Sequence, residues 1–180
     1  APTIVCNCLK EIIMAAAMLF HSKGYGVTLL ITWWIEQVMD ADIVYLTMGP
    51  AKAIDGLRKA LSMGGTSGIH ILDDSLHGSD ALATSYVLAK ALEKVGDYDL
   101  VMTGMASTDA EMSVVPAMIA ARLGLPQVTF AAAVEVDGSM VRIRRDSDTG
   151  SENVEASLPA VVSVTDQTGE ARYPSFKGIM

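Results

Sequence analysis

The sequence predicts an α/β fold: a parallel, doubly wound sheet with helices on both faces, followed by a C-terminal antiparallel β extension. Three observations carry this. From Ala41 to Leu123, short apolar runs of strand character alternate with amphipathic segments of helical length. Beyond Val128 the strand-like runs succeed one another without helices, and Asp137-Gly138 between two of them is a hairpin signal. A hydrophobic fraction of 51% in 180 residues is enough to fill one full-sized core.

Taken in order, Thr3 to Leu9 is a short apolar run that reads as a buried first strand. Glu11 to Ser22 is helix-like, with Gly24 as its stop, and Val27 to Thr32 is a further strand candidate. Ala41 to Met48 is a clear strand ended by Gly49-Pro50. Ala51 to Met63 carries Ile54, Leu57 and Leu61 at the spacing of one helix face, and Gly64-Gly65 closes it. Gly68 to Leu72 is a short strand. Ser79 caps a helix expected to turn Leu82, Tyr86, Ala89 and Leu92 inward. Tyr98 to Thr103 is the next strand, Pro116 opens a helix that runs to Leu123, and Gly124 stops it. Val128 to Val136, Met140 to Arg145, Asn153 to Ser157 and Ala160 to Val164 form the β extension, and Thr165 to Met180 reads as an exposed arm.

Charge and cysteine content exclude several functions. A net charge of −8 argues against nucleic acid and anionic membrane surfaces, both of which need clustered Lys and Arg. Cys6 and Cys8 read as buried thiols in a reducing compartment. The histidines His21, His70 and His77 lack ligand spacing, so no metal site is expected. His70 is expected in a strand and His77 in a polar loop, both structural. No signal peptide is recognisable, and the apolar stretch Val27 to Ile35 is too short for a bilayer. A cytoplasmic protein without direct membrane insertion is expected.

The segment Thr103 to Val115, TGMASTDAEMSVV, runs from a strand into a helix. In a doubly wound sheet that junction lies at the carboxyl edge, where ligands bind. Gly104, Ala106 and Ser107 are small, and Thr108, Asp109 and Ser113 are polar. Such a loop either turns its backbone N–H groups to a phosphate or is an ordinary capped loop with Ser113 or Asp109 as the cap; spacing does not decide. Asp109 and Glu111 would repel a phosphate and are expected to face ribose, solvent or backbone. Thr47-Met48-Gly49-Pro50 is a second strand-to-helix junction, read either as a tight turn or as a place for close ligand approach. Neither G-x-G-x-x-G nor a Walker lysine motif occurs. No catalytic constellation is found, and Arg142, Arg144 and Arg145 with Asp146 and Asp148 read as a solvated strand edge. In the tail, Phe176 between Pro174 and Gly178 is either a partner anchor or folded back on the core.

These segments resemble the electron transfer flavoprotein β subunit family, its actinobacterial members in particular. Met48-Gly-Pro-Ala with Leu57-Arg-Lys-Ala-Leu-Ser-Met-Gly-Gly is similar to the family's "GP…ALxMGAD" stretch, with Gly65-Thr66 in place of Ala-Asp. Leu72 to Asp80, the "GxxSTD" form of the loop at Gly104, Ile143 to Gly150 with Leu158 to Ser163, and Glu170 to Met180 resemble further family motifs in order. The resemblance runs from about Ala41 to Met180, and Lys10 to Ala41 departs from it.

The resemblance implies an adenine nucleotide α-hydrolase-like fold without catalytic side chains. It implies one nucleotide-binding domain over residues 1–164, with the β extension at about 128–164, and a partner-recognition arm over 165–180. It implies a heterodimer with an α subunit, FAD held mainly by α, and a structural AMP in this chain. Carried over by position, the AMP site comprises Cys8, Met48, and the loop Gly104, Met105, Ala106, Ser107, Thr108, Asp109, Ala110, Glu111, Met112, Ser113, Val114 and Val115. Phe176, with Tyr173 and Ile179, falls on the loop that docks acyl-CoA and related dehydrogenases. Asp146 falls where an acidic residue helps position the mobile FAD domain of α. The implied function is electron shuttling toward the respiratory chain in a bacterial cytoplasm. Two other classes fit the residues less well: a stand-alone universal-stress-type nucleotide-binding homodimer, and an adenylyl-transfer enzyme.

Overall fold

A computed structural model describes residues 13–19, 42–62, 66–106 and 111–168. In chain order these form β1 (Ile13–Leu19), β2 (Asp42–Met48), α1 (Ala53–Leu61), β3 (Ser67–Ile71), a 3-10 turn (Asp74–Leu76), α2 (Ala81–Val95) and β4 (Leu100–Gly104). They continue with α3 (Val115–Leu123), β5 (Gln127–Asp137), β6 (Met140–Ser147), β7 (Gly150–Ser157) and β8 (Ala160–Val164). The eight strands make one sheet in the order β3-β2-β1-β4-β8-β5-β6-β7.

The sheet is parallel from β3 across to β5. Only β6 and β7 run antiparallel to their neighbours. The antiparallel group is therefore the meander β5–β7. β8, expected within the extension, instead returns into the parallel sheet between β4 and β5, with Leu100 opposite Ala160 and Gly104 opposite Val164.

Alternating side chains divide the core into two layers, as the strand period of two requires. Ile43 and Tyr45 of β2 and Leu100 and Met102 of β4 pack on one face with Leu57 and Ala60 of α1 and with Val134, Val141 and Ile143 of the meander. Leu46 and Val101 face the other way, against Leu88 and Leu92 of α2 and Ile119 and Ala120 of α3. Helices thus cover both faces, as the alternating pattern predicts.

Further expectations are corrected. The helix expected over Glu11 to Ser22 is replaced at Ile13–Leu19 by a strand. Ile13 pairs with Asp42 and Leu19 with Met48 on one side, and Met14 pairs with Leu100 on the other. Ala and Met favour helix locally, but an uninterrupted apolar run is also what a central parallel strand looks like, and pairing on both sides prevails. The α2 cap is Asp80, whose carboxylate accepts the Ala83 N–H at 2.8 Å, whereas the Ser79 hydroxyl donates to Leu76 O at 2.7 Å.

The inward face of α2 is Ser85, Leu88, Ala89 and Leu92, with Leu82 and Tyr86 exposed. The rotation follows from Arg122 of α3. Its Nε donates to the buried Ser85 Oγ at 3.1 Å, its Nη2 donates to Leu82 O at 3.2 Å, and its guanidinium lies 5.5 Å from the Tyr86 ring centre. The small serine lets α2 and α3 approach, and the larger side chains flank the contact. The expected strands at Thr3–Leu9 and Val27–Thr32, the thiols Cys6 and Cys8, and the arm beyond Thr168 lie outside the described residues.

Candidate functional site

The strand order fixes where a ligand site is expected. From β1 the chain builds outward through β2 to β3, then returns to place β4 on the opposite side of β1. The carboxyl ends of β1 and β4 therefore flank the point where the winding reverses, the usual ligand crevice of such sheets. β1 ends at Leu19 and β4 at Gly104, so the loop singled out in the sequence leaves from this crevice.

Gly104 is half-buried at the end of β4, and Met105 and Ala106 are exposed. Ser107, Thr108, Asp109 and Ala110 lie outside the described residues. Glu111 and Ser113 have φ of 50° and 55°, left-handed conformations rarely adopted by side-chain-bearing residues. Positive-φ residues in a loop can turn backbone N–H groups toward a ligand. Helix α3 then begins at Val115 with Val114 as N-cap and no side-chain cap, so Ser113 does not fill the capping role that was one reading of it. Pro116 removes one N–H from that first turn. The positive dipole end of α3 thus has no side-chain cap where the loop from β4 enters it. Glu111 and Met112 are exposed, and Ser113 and Val115 half-buried.

The second junction is tied down from the neighbouring strand. Met48 is half-buried at the end of β2. The Gly49 N–H donates to Ile71 O at 3.2 Å, and His70 Nε2 lies 3.0 Å from Gly49 O. A Cβ on Gly49 would stand 3.1 Å from Ala53 Cβ, so the first turn of α1 leaves little room for any other residue. His70 thus has the structural role expected of it, and it serves this particular turn. His77 is exposed in its loop.

Asp146 lies on β6, where its Oδ1 accepts from Ser151 Oγ at 2.6 Å and stands 3.2 Å from Arg144 Nε. Arg142 pairs with Glu155 and Arg145 with Glu152, each at 2.8 Å. Glu155 holds the Arg142 guanidinium charged to higher pH than usual, first through the hydrogen bond and then through its charge. This stretch is a cross-strand ion-pair ladder on an exposed surface, solvated as read from the sequence but not an edge, because β6 is paired with β5 on one side and β7 on the other. Asp146 belongs to a different part of the sheet from the Gly104 loop. Cys8, Tyr173, Phe176 and Ile179 lie outside the described residues.

Two residues escaped sequence reasoning. Thr47 of β2 is buried with its hydroxyl unpartnered among the described residues. Phe130 of β5 has a left-handed backbone, φ 60°, and is 38% exposed. Nothing in their sequence neighbourhood signals either. Among the described residues no group of three or more His, Cys, Asp or Glu is placed to hold a metal, and no helix is long and apolar enough to cross a membrane.

A mostly parallel, doubly wound sheet with helices on both faces and an antiparallel meander at one end defines a class of α/β domains. The sequence profile of the electron transfer flavoprotein domain matches residues 35–179. The chain belongs to the electron transfer flavoprotein β-subunit family. It is 47% identical over 138 residues to "Electron transfer flavoprotein subunit beta" of Mycobacterium leprae, covering 77% of this chain and 52% of the relative. The protein of that name from Mycobacterium tuberculosis is 44% identical over 142 residues, 79% of this chain and 53% of the relative. The one from Megasphaera elsdenii is 34% identical over 147 residues, 78% and 54%. The chain thus spans about half the length of the curated relatives it matches.

Proposed function

We propose that this chain acts as the β subunit of a heterodimeric electron transfer flavoprotein. In this reading it binds a structural AMP and docks dehydrogenases, while FAD is held mainly by the α subunit and carries electrons toward the respiratory chain. The observation that carries the nucleotide site is the β4–α3 junction at the winding reversal: small Gly104 and Ala106, left-handed Glu111 and Ser113, and a helix start without a side-chain cap. The AMP phosphate sits against main-chain N–H groups there, with Met48, the remaining loop residues Met105 to Val115, and Cys8 completing the site. Glu111, exposed beside it, faces away from the phosphate. Because the grip is by backbone, the side chains need not be chemically distinctive.

AMP contributes stability by binding the folded state alone, roughly 2.7 kcal/mol at a hundredfold excess over its dissociation constant. The arm carrying Tyr173, Phe176 and Ile179 engages acyl-CoA and related dehydrogenases, and Asp146 helps position the FAD-bearing part of α. The chain supplies no catalytic side chain, works in the bacterial cytoplasm, and binds neither metal nor nucleic acid. The test is to purify the complex with α, denature it and assay the supernatant. AMP in near-equimolar amount is expected from the unaltered chain and much less from Gly104→Val, whose side chain blocks backbone approach. Absence of AMP from the unaltered complex overturns the nucleotide site.

A further inference from the structure

The chain that leaves β8 is tied to β5 at one point. Pairing of β5 with β8 slips between Val128 and Ala131, and pairing with β6 slips between Ala131 and Ala133. Between the two slips Phe130 has φ 60°, a conformation that favours glycine. Strain of this kind persists only where the surroundings over-determine it.

Those surroundings are the end of β8 and the residues after it. The Phe130 N–H donates to Ser163 Oγ at 3.0 Å. Ala131 O accepts from the Thr165 N–H at 2.9 Å, from the Thr165 hydroxyl at 3.1 Å and from the Thr168 hydroxyl at 2.7 Å. A carbonyl oxygen has two lone pairs, so this acceptor is saturated. The Thr168 hydroxyl also stands 3.0 Å from Thr165 O, and the Thr168 N–H reaches the same carbonyl at 3.4 Å, which closes residues 165–168 into a turn. Thr165 and Thr168 are half-buried, and Asp166 and Gln167 between them are exposed.

The strand itself does not need this clamp. Ala160 to Val164 are buried, and β8 is paired with β4 along its whole length and with β5 on its other side. The bond from the Thr165 N–H already completes that pairing. What the two hydroxyls fix in addition is the path of the chain after Val164. Residues 165–168 are the root of the arm proposed above to engage dehydrogenases. A root held at one carbonyl removes conformations that a free chain would lose on docking, and so strengthens docking without touching the partner.

We propose that Thr168, assisted by Thr165, is a positioning residue: its hydroxyl clamps the root of the docking arm to the β5 bulge and sets the direction in which the arm leaves the sheet. This rests on the docking role proposed above for the arm and assigns the residues that aim it.

The test separates the hydroxyl from the bulk of the side chain. Thr168→Val removes the hydroxyl at nearly constant shape, and Thr168→Ser keeps it. Each variant, in complex with an FAD-loaded α subunit, serves as the varied electron acceptor of an acyl-CoA dehydrogenase, and KM and kcat are measured. Amide hydrogen exchange at Thr165 is followed in the same complexes. For Thr168→Val, a rise in KM of roughly three- to tenfold with unchanged kcat is expected, together with faster exchange at Thr165. Thr168→Ser should restore both. An unchanged KM for Thr168→Val overturns the proposal. If Phe176→Ala raises KM in the same assay, the docking reading survives that result; if it does not, both fall. Loss of FAD from the Thr168→Val complex, with a fall in kcat, would mean that the turn supports the flavin-bearing assembly and not the arm, and would also overturn it.

Discussion

His70 Nε2 stands 3.0 Å from the carbonyl oxygen of Gly49, so a side chain from the outermost parallel strand holds the turn that ends β2. The nitrogen donates, because a carbonyl only accepts. His70→Ala should cost on the order of 1 kcal/mol, the net worth of a half-buried hydrogen bond, and should loosen the Met48 turn. His70→Gln keeps a donor and should recover part of it. Denaturant titration reads the first effect, and AMP content of the purified complex reads the second. Equal behaviour of the two variants would show that the hydrogen bond is immaterial.

Thr47 makes the opposite case. Its hydroxyl is buried without a partner among the described residues. An unsatisfied buried hydroxyl destabilises, and valine has nearly the same shape. Thr47→Val should leave stability unchanged or raise it by up to about 1 kcal/mol. A fall of more than that in the denaturation midpoint energy would mean that the hydroxyl is bonded after all.

Phe176→Ala should slow reduction by acyl-CoA dehydrogenase about tenfold or more, if the ring is an anchor of ordinary strength. Under the proposed docking role of the arm, the FAD content of the complex should not change. Stopped-flow reduction with absorbance at the flavin band checks both at once. Flavin loss would contradict the docking role.

Tyr98 precedes β4 and packs half-buried against the α2–α3 layer. Burial, with the nearby charge of Glu93 second, raises its phenol above the usual range. The sign follows from proton counting. Where the unfolded phenol has already lost its proton and the folded one has not, the folded state binds more protons, so stability falls as pH rises. This contribution is fully present below the ordinary phenol value and is lost above about pH 10. Tyr98→Phe should flatten the alkaline decline of the melting temperature. An unaltered slope would show that Tyr98 does not titrate late.

The alternating core of the fold was legible because β2, α1, α2, β4 and α3 each carry a clean periodicity with Gly or Pro at their ends. The crevice loop was legible for the same reason: a strand that ends in Gly104 and a helix that opens with Pro116 leave only one kind of junction. β1 was not legible. Its Ala and Met residues favour a helix locally, and the pairing that overrides them comes from segments far along the chain. β8 was misassigned because a strand inserted into a parallel sheet and a strand continuing a meander have the same local pattern; only the register with β4 separates them. The rotation of α2 depended on Arg122, which lies one helix away. Phe130 was invisible because β-branched and aromatic runs such as Val128-Thr129-Phe130 read as regular strand, and a left-handed φ leaves no trace in an aromatic residue. The charges of β6 were legible as a solvated stretch, but their Glu152 and Glu155 partners emerged only from the β6–β7 register.

The position of β1 bears on how this protein can be shortened. In many sheets the first strand lies on the outside, and trimming it only narrows the structure. Here the first strand among the described residues, β1, fills the slot between β2 and β4. Deleting it would leave two facing rows of unsatisfied amides and carbonyls in the middle of the molecule and split the sheet in two. Shortened variants that begin after Leu19 should therefore be insoluble.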